Sequence, residues 1–165
     1  MKTLVRPYHW YRDFWFQFQI VTDKSIQRFM FDDKRRVLGY FLPWKYEAKY
    51  ICVLENDGVK RKIAMASFSQ NHDKTYSIAG FVPTKIQNRG YGIYAAVAII
   101  NHFFKSFPEA VVRSGSFSFN ERAYRTTKSV GFQLDIQDDK HFDSTLTVDQ
   151  FDNDFVRKIK IRAGI

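Results

Sequence analysis

The sequence predicts an α+β fold in which a mixed, mostly antiparallel central sheet is flanked by helices. Three features point there. Residues 50–82 read as successive strands joined by tight turns, which pair antiparallel. Gly92–Lys105 places Ile93, Ala96, Val97, Ile99, Ile100, Phe103 and Phe104 at helical spacing. A strand, a short helix and two further strands follow, without the repeated parallel units of a doubly wound sheet.

Taken in order, Met1–Arg6 reads as a short strand ended by Pro7. Trp10, Tyr11, Phe14, Trp15, Phe16, Phe18 and Ile20 fit two templates. Positions 10, 14 and 18 suit a helix, and 14, 16, 18 and 20 suit a strand; helix is the reading taken, with a second helix or loop before Pro43. This aromatic density reads mainly as core, with some rings available to wall a substrate pocket. Tyr50–Glu55 and Lys62–Ser69 form a hairpin across Asn56-Asp57-Gly58, and Gln70–Asp73 turns the chain into a third strand, Lys74–Val82, which Pro83 ends. Pro108 follows the apolar helix. Ala110–Ser118 alternates like a strand. Asn120 is a good N-cap for a helix running to about Val130, with Gly131 where a C-terminal glycine is expected. Phe132–Ile136 and Ser144–Phe151 read as the last two strands.

Length and composition bound the function. At 165 residues the chain is expected to be one domain over 1–165, able to bury about two-thirds of its unfolded surface without disulfide or metal staples. No apolar run approaches the roughly 20 residues of a membrane span, and the N-terminus lacks the apolar stretch of a signal peptide. The lone cysteine, Cys52, forms no internal disulfide; the expected compartment is the cytoplasm. The net charge of +9 and the 18% aromatic content suit a nucleic-acid binder, a protein for a small polyanionic cofactor, or a solvated protein with an aromatic core. No RNA-recognition motif or basic helical run supports the nucleic-acid reading.

The chemistry-bearing segment is Gln87-Asn88-Arg89-Gly90-Tyr91-Gly92, between the third strand and the apolar helix. A helix start offers unpaired N–H groups and a positive dipole end to phosphate. Gly90 and Gly92 let the backbone approach a bulky anion, and Lys85 and Arg89 add charge. A plain chain-reversing loop fits the same residues. Gly90-Tyr91-Gly92-Ile93-Tyr94-Ala95 also fits the dinucleotide fingerprint, but the gap from Val82 is long and no parallel βαβ series follows.

A second segment, Asn120-Glu121-Arg122-Ala123-Tyr124-Arg125-Thr126-Thr127-Lys128-Ser129-Val130-Gly131-Phe132, closely resembles the N-x-x-A-x-x-x-Y-x-x-x-G-F hallmark of the GNAT superfamily of N-acetyltransferases. Gln87–Gly92 matches that superfamily's Q/R-x-x-G-x-G/A hallmark. The resemblance covers roughly Tyr50 to Phe151 and implies the acyl-CoA N-acyltransferase (GNAT) fold with acetyl-CoA as co-substrate. It implies that backbone amides of Asn88, Arg89, Gly90, Tyr91, Gly92 and Ile93, behind Gln87, cradle the pyrophosphate. Phe81 and Val82 would pair with the pantetheine arm, Asn120 would hydrogen-bond it, and the sheet would splay between Lys74–Val82 and Ala110–Ser118.

Where the family pattern has a tyrosine that protonates the departing thiolate, this sequence has Thr127. Its hydroxyl is shorter and a far poorer acid than a phenol of pKa about 10. Tyr124, on nearly the same helical face, is the substitute candidate, and packing under the helix is its other reading. Some ribosomal-protein and diamine acetyltransferase branches also lack the tyrosine. The general base is open: the third strand carries no carboxylate, while Asp73, Glu109 and Glu55 read as surface charges, and His72, His102 and His141 as lone histidines. No His/Cys cluster has metal-ligand spacing, so no metal is assigned. Ser114, Ser116 and Ser118 lack a paired base, which excludes a serine nucleophile.

Asp135, Asp138, Asp139, Asp143, Asp149, Asp152 and Asp154 make the last third acidic before the basic tail 157–162. Attraction of a cationic amine acceptor and a set of turn aspartates are both compatible with that pattern. The resulting expectation is transfer of an acetyl group to a primary amine by direct attack, or, in the alternative, a catalytically silent CoA-binding module, either as monomer or homodimer.

Overall fold

A computed structural model describes residues 2–28 and 47–165. The expected helix or loop before Pro43 lies outside these residues beyond position 28, as does Met1. The described elements form one seven-stranded sheet in the order β1-β2-β3-β4-β5-β7-β6. β1 (Lys2–Pro7), β2 (Ala48–Asn56), β3 (Val59–Gln70) and β4 (Tyr76–Phe81) are successive antiparallel neighbours. β5 (Val112–Phe117) joins β4 in parallel; β7 (His141–Leu146) pairs antiparallel with both β5 and β6 (Gln133–Gln137). The sheet is therefore mixed and mostly antiparallel, as expected.

Local chemistry accounts for the connections. Asp57 and Gly58 take φ of 50° and 77°, the paired left-handed residues a two-residue hairpin turn needs. After β3, Asn71 N–H bonds Thr75 O while Asp73 accepts from Thr75 N–H and Oγ1, an Asx turn.

Two faces of the sheet are packed differently. On one, α3 (Tyr91–Ser106) buries Ala95, Val97, Ala98, Ile99, Ile100, Phe103 and Phe104 against Tyr50, Cys52, Ala64, Ala66 and Phe68. Phe68 and Phe103 stack with centroids 3.9 Å apart and planes 2° from parallel. The α4 helix (Glu121–Val130) and α6 (Asp154–Ala163) pack beside α3. On the other face, Ile20 of α1 (Trp10–Thr22) and Ile26 of α2 (Lys24–Gln27) meet Ile51 and Met65, with Tyr8, Phe16, Val53 and Phe81 around them.

Two expectations are corrected. The aromatic run of α1 is not mainly core: Trp10, Tyr11, Trp15 and Phe18 are 51%, 87%, 70% and 40% exposed, while Asp13, Gln17, Ile20 and Val21 form its buried face. The helix reading holds, but its inward stripe carries polar residues. The expected strand Ser144–Phe151 is instead β7 ending at Leu146 followed by α5 (Val148–Phe151). Thr147 stops the strand with a capping box: Gln150 N–H reaches Thr147 Oγ1 and Thr147 N–H donates to Gln150 Oε1 at 2.8 Å. The basic tail is the amphipathic helix α6, capped by Asn153 and burying Val156, Ile159 and Ala163. Smaller shifts move β4 to Tyr76–Phe81 and β6 to Gln133–Gln137.

Candidate active site

The site begins where the sheet parts. β4 and β5 share only two register pairs, Tyr76 with Val112 and Ser77 with Arg113. Beyond them β4 runs on to Phe81 and β5 to Phe117 with no further pairing, so their C-terminal halves diverge. A sheet edge without its neighbour can accept an extended ligand in the manner of an added strand.

The loop after β4 leads to the start of α3 at this parting. Residues 84–86 form a 3-10 turn. Asn88 and Gly90 then take φ of 63° and 77°, winding the backbone left-handed into the helix. Asparagine and glycine are the residues that accept that conformation readily. No side chain caps α3, and the first turn of any helix has no intrahelical acceptors for its N–H groups. A Cβ built on Gly90 would meet nothing within 4 Å, so the corner is open; one on Gly92 would approach Val82 Cγ2 at 3.9 Å. Lys85 and Arg89 are exposed beside it. Gln87 is a structural tie: its Nε2 donates to Val82 O at 2.9 Å, and its Oε1 accepts from Arg122 Nη1 at 3.0 Å.

Asn120 caps α4, accepting from Ala123 N–H at 3.3 Å and donating through Nδ2 to Ser116 Oγ at 3.0 Å. An amide carries two donors and two acceptor lone pairs, so capacity remains on both atoms. Tyr124 is half-buried, with its ring edge-on to Phe142, centroids 5.5 Å apart at 88°. Thr127, one turn further, is 7% exposed. Both therefore face inward from α4, on the side of the sheet that α3 covers.

The remaining candidates separate by their contacts. Asp73 is held in its turn and ion-paired to Arg113 at 3.2 Å. His102 lies edge-on to Tyr50 at 4.9 Å, and burial together with the Lys105 charge lowers its pKa. Ser116 bonds Asn120, and Ser118 Oγ donates to Asp138 O at 2.7 Å. Among the described residues no three His, Cys, Asp or Glu side chains gather to hold a metal ion. Burial pushes the Cys52 thiol up to about 12, which leaves it a packing residue.

Two clusters have no counterpart in the sequence reading. Asp13, fully buried, accepts two bonds of 2.7 Å from Arg6, one of 2.9 Å from His9 N–H, and pairs with Lys62 Nζ at 2.7 Å. Burial alone would push its carboxyl up; Arg6, His9 and Lys62 together hold it well below the usual range. Beside it, Lys49 Nζ lies 4.2 Å from the centre of the Tyr8 ring. Burial brings that ammonium down to about 8 and the phenol, also facing the Asp13 charge, up to about 12. The second is Asp143, whose carboxylate lies over Gly115, its register partner in the β5–β7 ladder. Both rest on strand pairing; a lone glycine inside the alternating strand 110–118 was the one local signal.

No family model matches the chain, and no curated protein sequence does. Solved structures do match it in shape. AAC(6')-Ib in complex with paromomycin and acetyl-CoA superposes with a TM-score of 0.72 at 15% identity, over 93% of this chain and 98% of that one. An acetyltransferase of the GNAT family from Bacillus anthracis gives 0.68 at 14% identity, over 89% and 95%. Mycobacterium smegmatis RimJ in complex with CoA-disulfide gives 0.67 at 14% identity, over 98% and 89%. These likenesses are of fold: the chain has the fold of the GNAT acetyltransferases.

Proposed function

We propose that residues 1–165 form a single acetyltransferase domain that transfers an acetyl group from acetyl-CoA to a primary amine. The observation that carries this is the coincidence, at one corner, of strands that part after two register pairs and a helix start left open at Gly90. That corner fits the cofactor: its backbone approach is unobstructed and its N–H groups lack a side-chain cap. The amides of Asn88 to Ile93, with Gln87 holding the loop and Arg89 adding charge, grip the pyrophosphate. Backbone groups of Phe81 and Val82 take the pantetheine arm as an added strand, and Asn120 uses its remaining hydrogen-bonding capacity on the same arm.

Bound acetyl-CoA supplies an activated acetyl group. The chain contributes position and polarity: a β4 N–H polarises the carbonyl, and the parted strands admit the amine, whose lone pair attacks directly. Water or a distant carboxylate takes the proton that the amine loses, while Tyr124 or Thr127 gives one to the departing thiolate, the phenol being the stronger acid of the two.

The burial of Thr127 where the family motif has tyrosine favours a second reading, a GNAT-shaped CoA binder without turnover. Calorimetry with acetyl-CoA and an amine panel scored by thiol release test both. Micromolar binding with thiol release supports the transferase; binding without release of thiol for any amine supports the silent module. Absence of acetyl-CoA binding overturns both.

A further inference from the structure

The α1 helix wears its amphipathicity partly inside out. A surface helix keeps apolar residues inward and polar ones outward. Here Asp13, Gln17 and Ile20 face the sheet, while Tyr11 and Trp15 stand on the opposite side of the helix with Trp10 beside them. Arg6 and Lys62 hold the inward carboxylate, so turning the helix to bury the rings would break those pairs and strand a charge in the core. Trp10 and Trp15 lean on Phe14, with centroids 4.6 and 5.6 Å away, which joins the rings into one patch. Trp10, Tyr11 and Trp15 keep half or more of their surface in solvent. That is about 300–500 Å² of ring area, the size at which an exposed apolar patch marks an interaction site.

Charge and shape select the occupant. The one acidic residue of α1, Asp13, is buried, whereas its Arg12 is exposed. Lys62 Nζ donates to Arg12 O at 2.7 Å, so Lys60, two residues back along β3, stands on the same face of the sheet. Lys60 belongs to the cross-strand row Lys2, Glu55, Lys60, two exposed ammoniums about one carboxylate. The rim of the patch is therefore net positive, on a chain of net charge +9. A second copy fits poorly: a stable dimer buries about 800 Å² per partner, well above what the rings offer, and two positive rims would be pressed together. An anionic bilayer fits on both counts. Trp and Tyr rings settle at the headgroup level of a membrane, and Lys and Arg are drawn to its anionic surface. The outer side of a single helix is convex, and a bilayer needs no complementary groove to receive it.

We propose that the Trp10, Tyr11 and Trp15 face of α1, with Arg12, Lys2 and Lys60 at its rim, docks the chain on an anionic membrane surface. The rings enter the headgroup layer and the cations meet the lipid phosphates and carboxylates. No described helix is long and apolar enough to cross a membrane; the contact proposed is with the surface. The inference stands apart from the transferase reading, because it uses neither the helix start at Gly90 nor the parting of β4 and β5.

The test is sedimentation of the full chain with vesicles of phosphatidylcholine, alone and with about 30% phosphatidylserine. Wild type is expected to bind the anionic vesicles, to bind the neutral ones weakly, and to come off as NaCl rises from about 0.1 M to about 0.5 M. Trp10→Gln with Trp15→Gln is expected to lower affinity for anionic vesicles about tenfold or more, with melting temperature and acetyl-CoA affinity unchanged. Arg12→Gln with Lys60→Gln is expected to lower it about three- to tenfold, on the anionic vesicles alone. Full vesicle affinity in the folded double tryptophan variant overturns the proposal, as does equal wild-type binding to both vesicles. Wild type that binds neither vesicle overturns it and leaves the face to an acidic protein surface. A wild-type dimer in analytical ultracentrifugation that the tryptophan substitutions dissolve, without vesicle binding, overturns it in favour of a second copy.

Discussion

Arg122 Nη1 donates to Gln87 Oε1 at 3.0 Å, joining the two sequence motifs across 35 positions. Gln87 in turn holds Val82 O, so one side chain braces the end of β4, the loop and the start of α4. Its loss leaves the fold in place and loosens the phosphate corner. Gln87→Leu is expected to weaken acetyl-CoA binding about three- to tenfold, the worth of one to two ordinary hydrogen bonds. Arg122→Ala should do less, since it removes only one of the bonds. Isothermal titration of the two variants checks the order; equal affinity in Gln87→Leu and wild type refutes the brace.

Gly90 sits at φ 77° with open space where a Cβ would stand. Gly90→Glu brings bulk, backbone strain and a negative charge to an uncapped helix start. The helix dipole that favours phosphate there gains a competing carboxylate. Acetyl-CoA affinity is expected to fall by about a hundredfold or more, with circular dichroism unchanged. Full affinity in a folded variant would remove the cofactor from this corner.

Legibility followed sequence separation. The loop at Gly90 and the turn at Asp57-Gly58 were readable because left-handed backbone must be met by residues in place, and both segments carry them. The short helix α5 was hidden because Asp149-Gln150-Phe151 continued the apparent strand, while the stop came from the paired side chains of Thr147 and Gln150. The α1 helix misled in its facing: the aromatic residues suggested an inward stripe, yet Asp13 and Gln17 are inside because Arg6 and Lys62 reach Asp13 there. Asp143 over Gly115 depends on β5–β7 register, which no local pattern encodes.

Gly131 ends α4 at φ 108°, and a Cβ there would stand 2.5 Å from Gln150 O and 2.7 Å from Asn153 Nδ2. The first is a backbone carbonyl of α5 and the second belongs to the N-cap residue of α6; Asn153 Nδ2 donates to both Val130 O and Gln150 O at 3.1 Å. Gly131→Ala therefore combines strain with displacement of a packed junction, a cost of about 3 kcal/mol. The melting temperature should fall by roughly 6–12 °C for a chain of this size. Gly58→Ala, at φ 77° with nothing within 4 Å, pays strain alone and should cost about 1 kcal/mol. Comparable losses in the two variants would contradict the packing argument.

The Asp13 cluster sets the acid sensitivity of the fold. Removing one partner of a buried ion pair leaves the others uncompensated, so Asp13→Asn is expected to cost about 3–5 kcal/mol at pH 7. The folded chain holds the Asp13 proton more weakly than the unfolded chain, whose carboxyl titrates near 3.9. The cluster's contribution is thus complete above the unfolded value. It is lost progressively as pH falls below that value towards the depressed folded one, because the unfolded state binds the proton first. Urea unfolding at pH 7, 5 and 3 should show the wild-type advantage over Asp13→Asn unchanged between 7 and 5 and smaller at 3. An advantage that grows on acidification would reverse the sign and place the cluster's stability elsewhere.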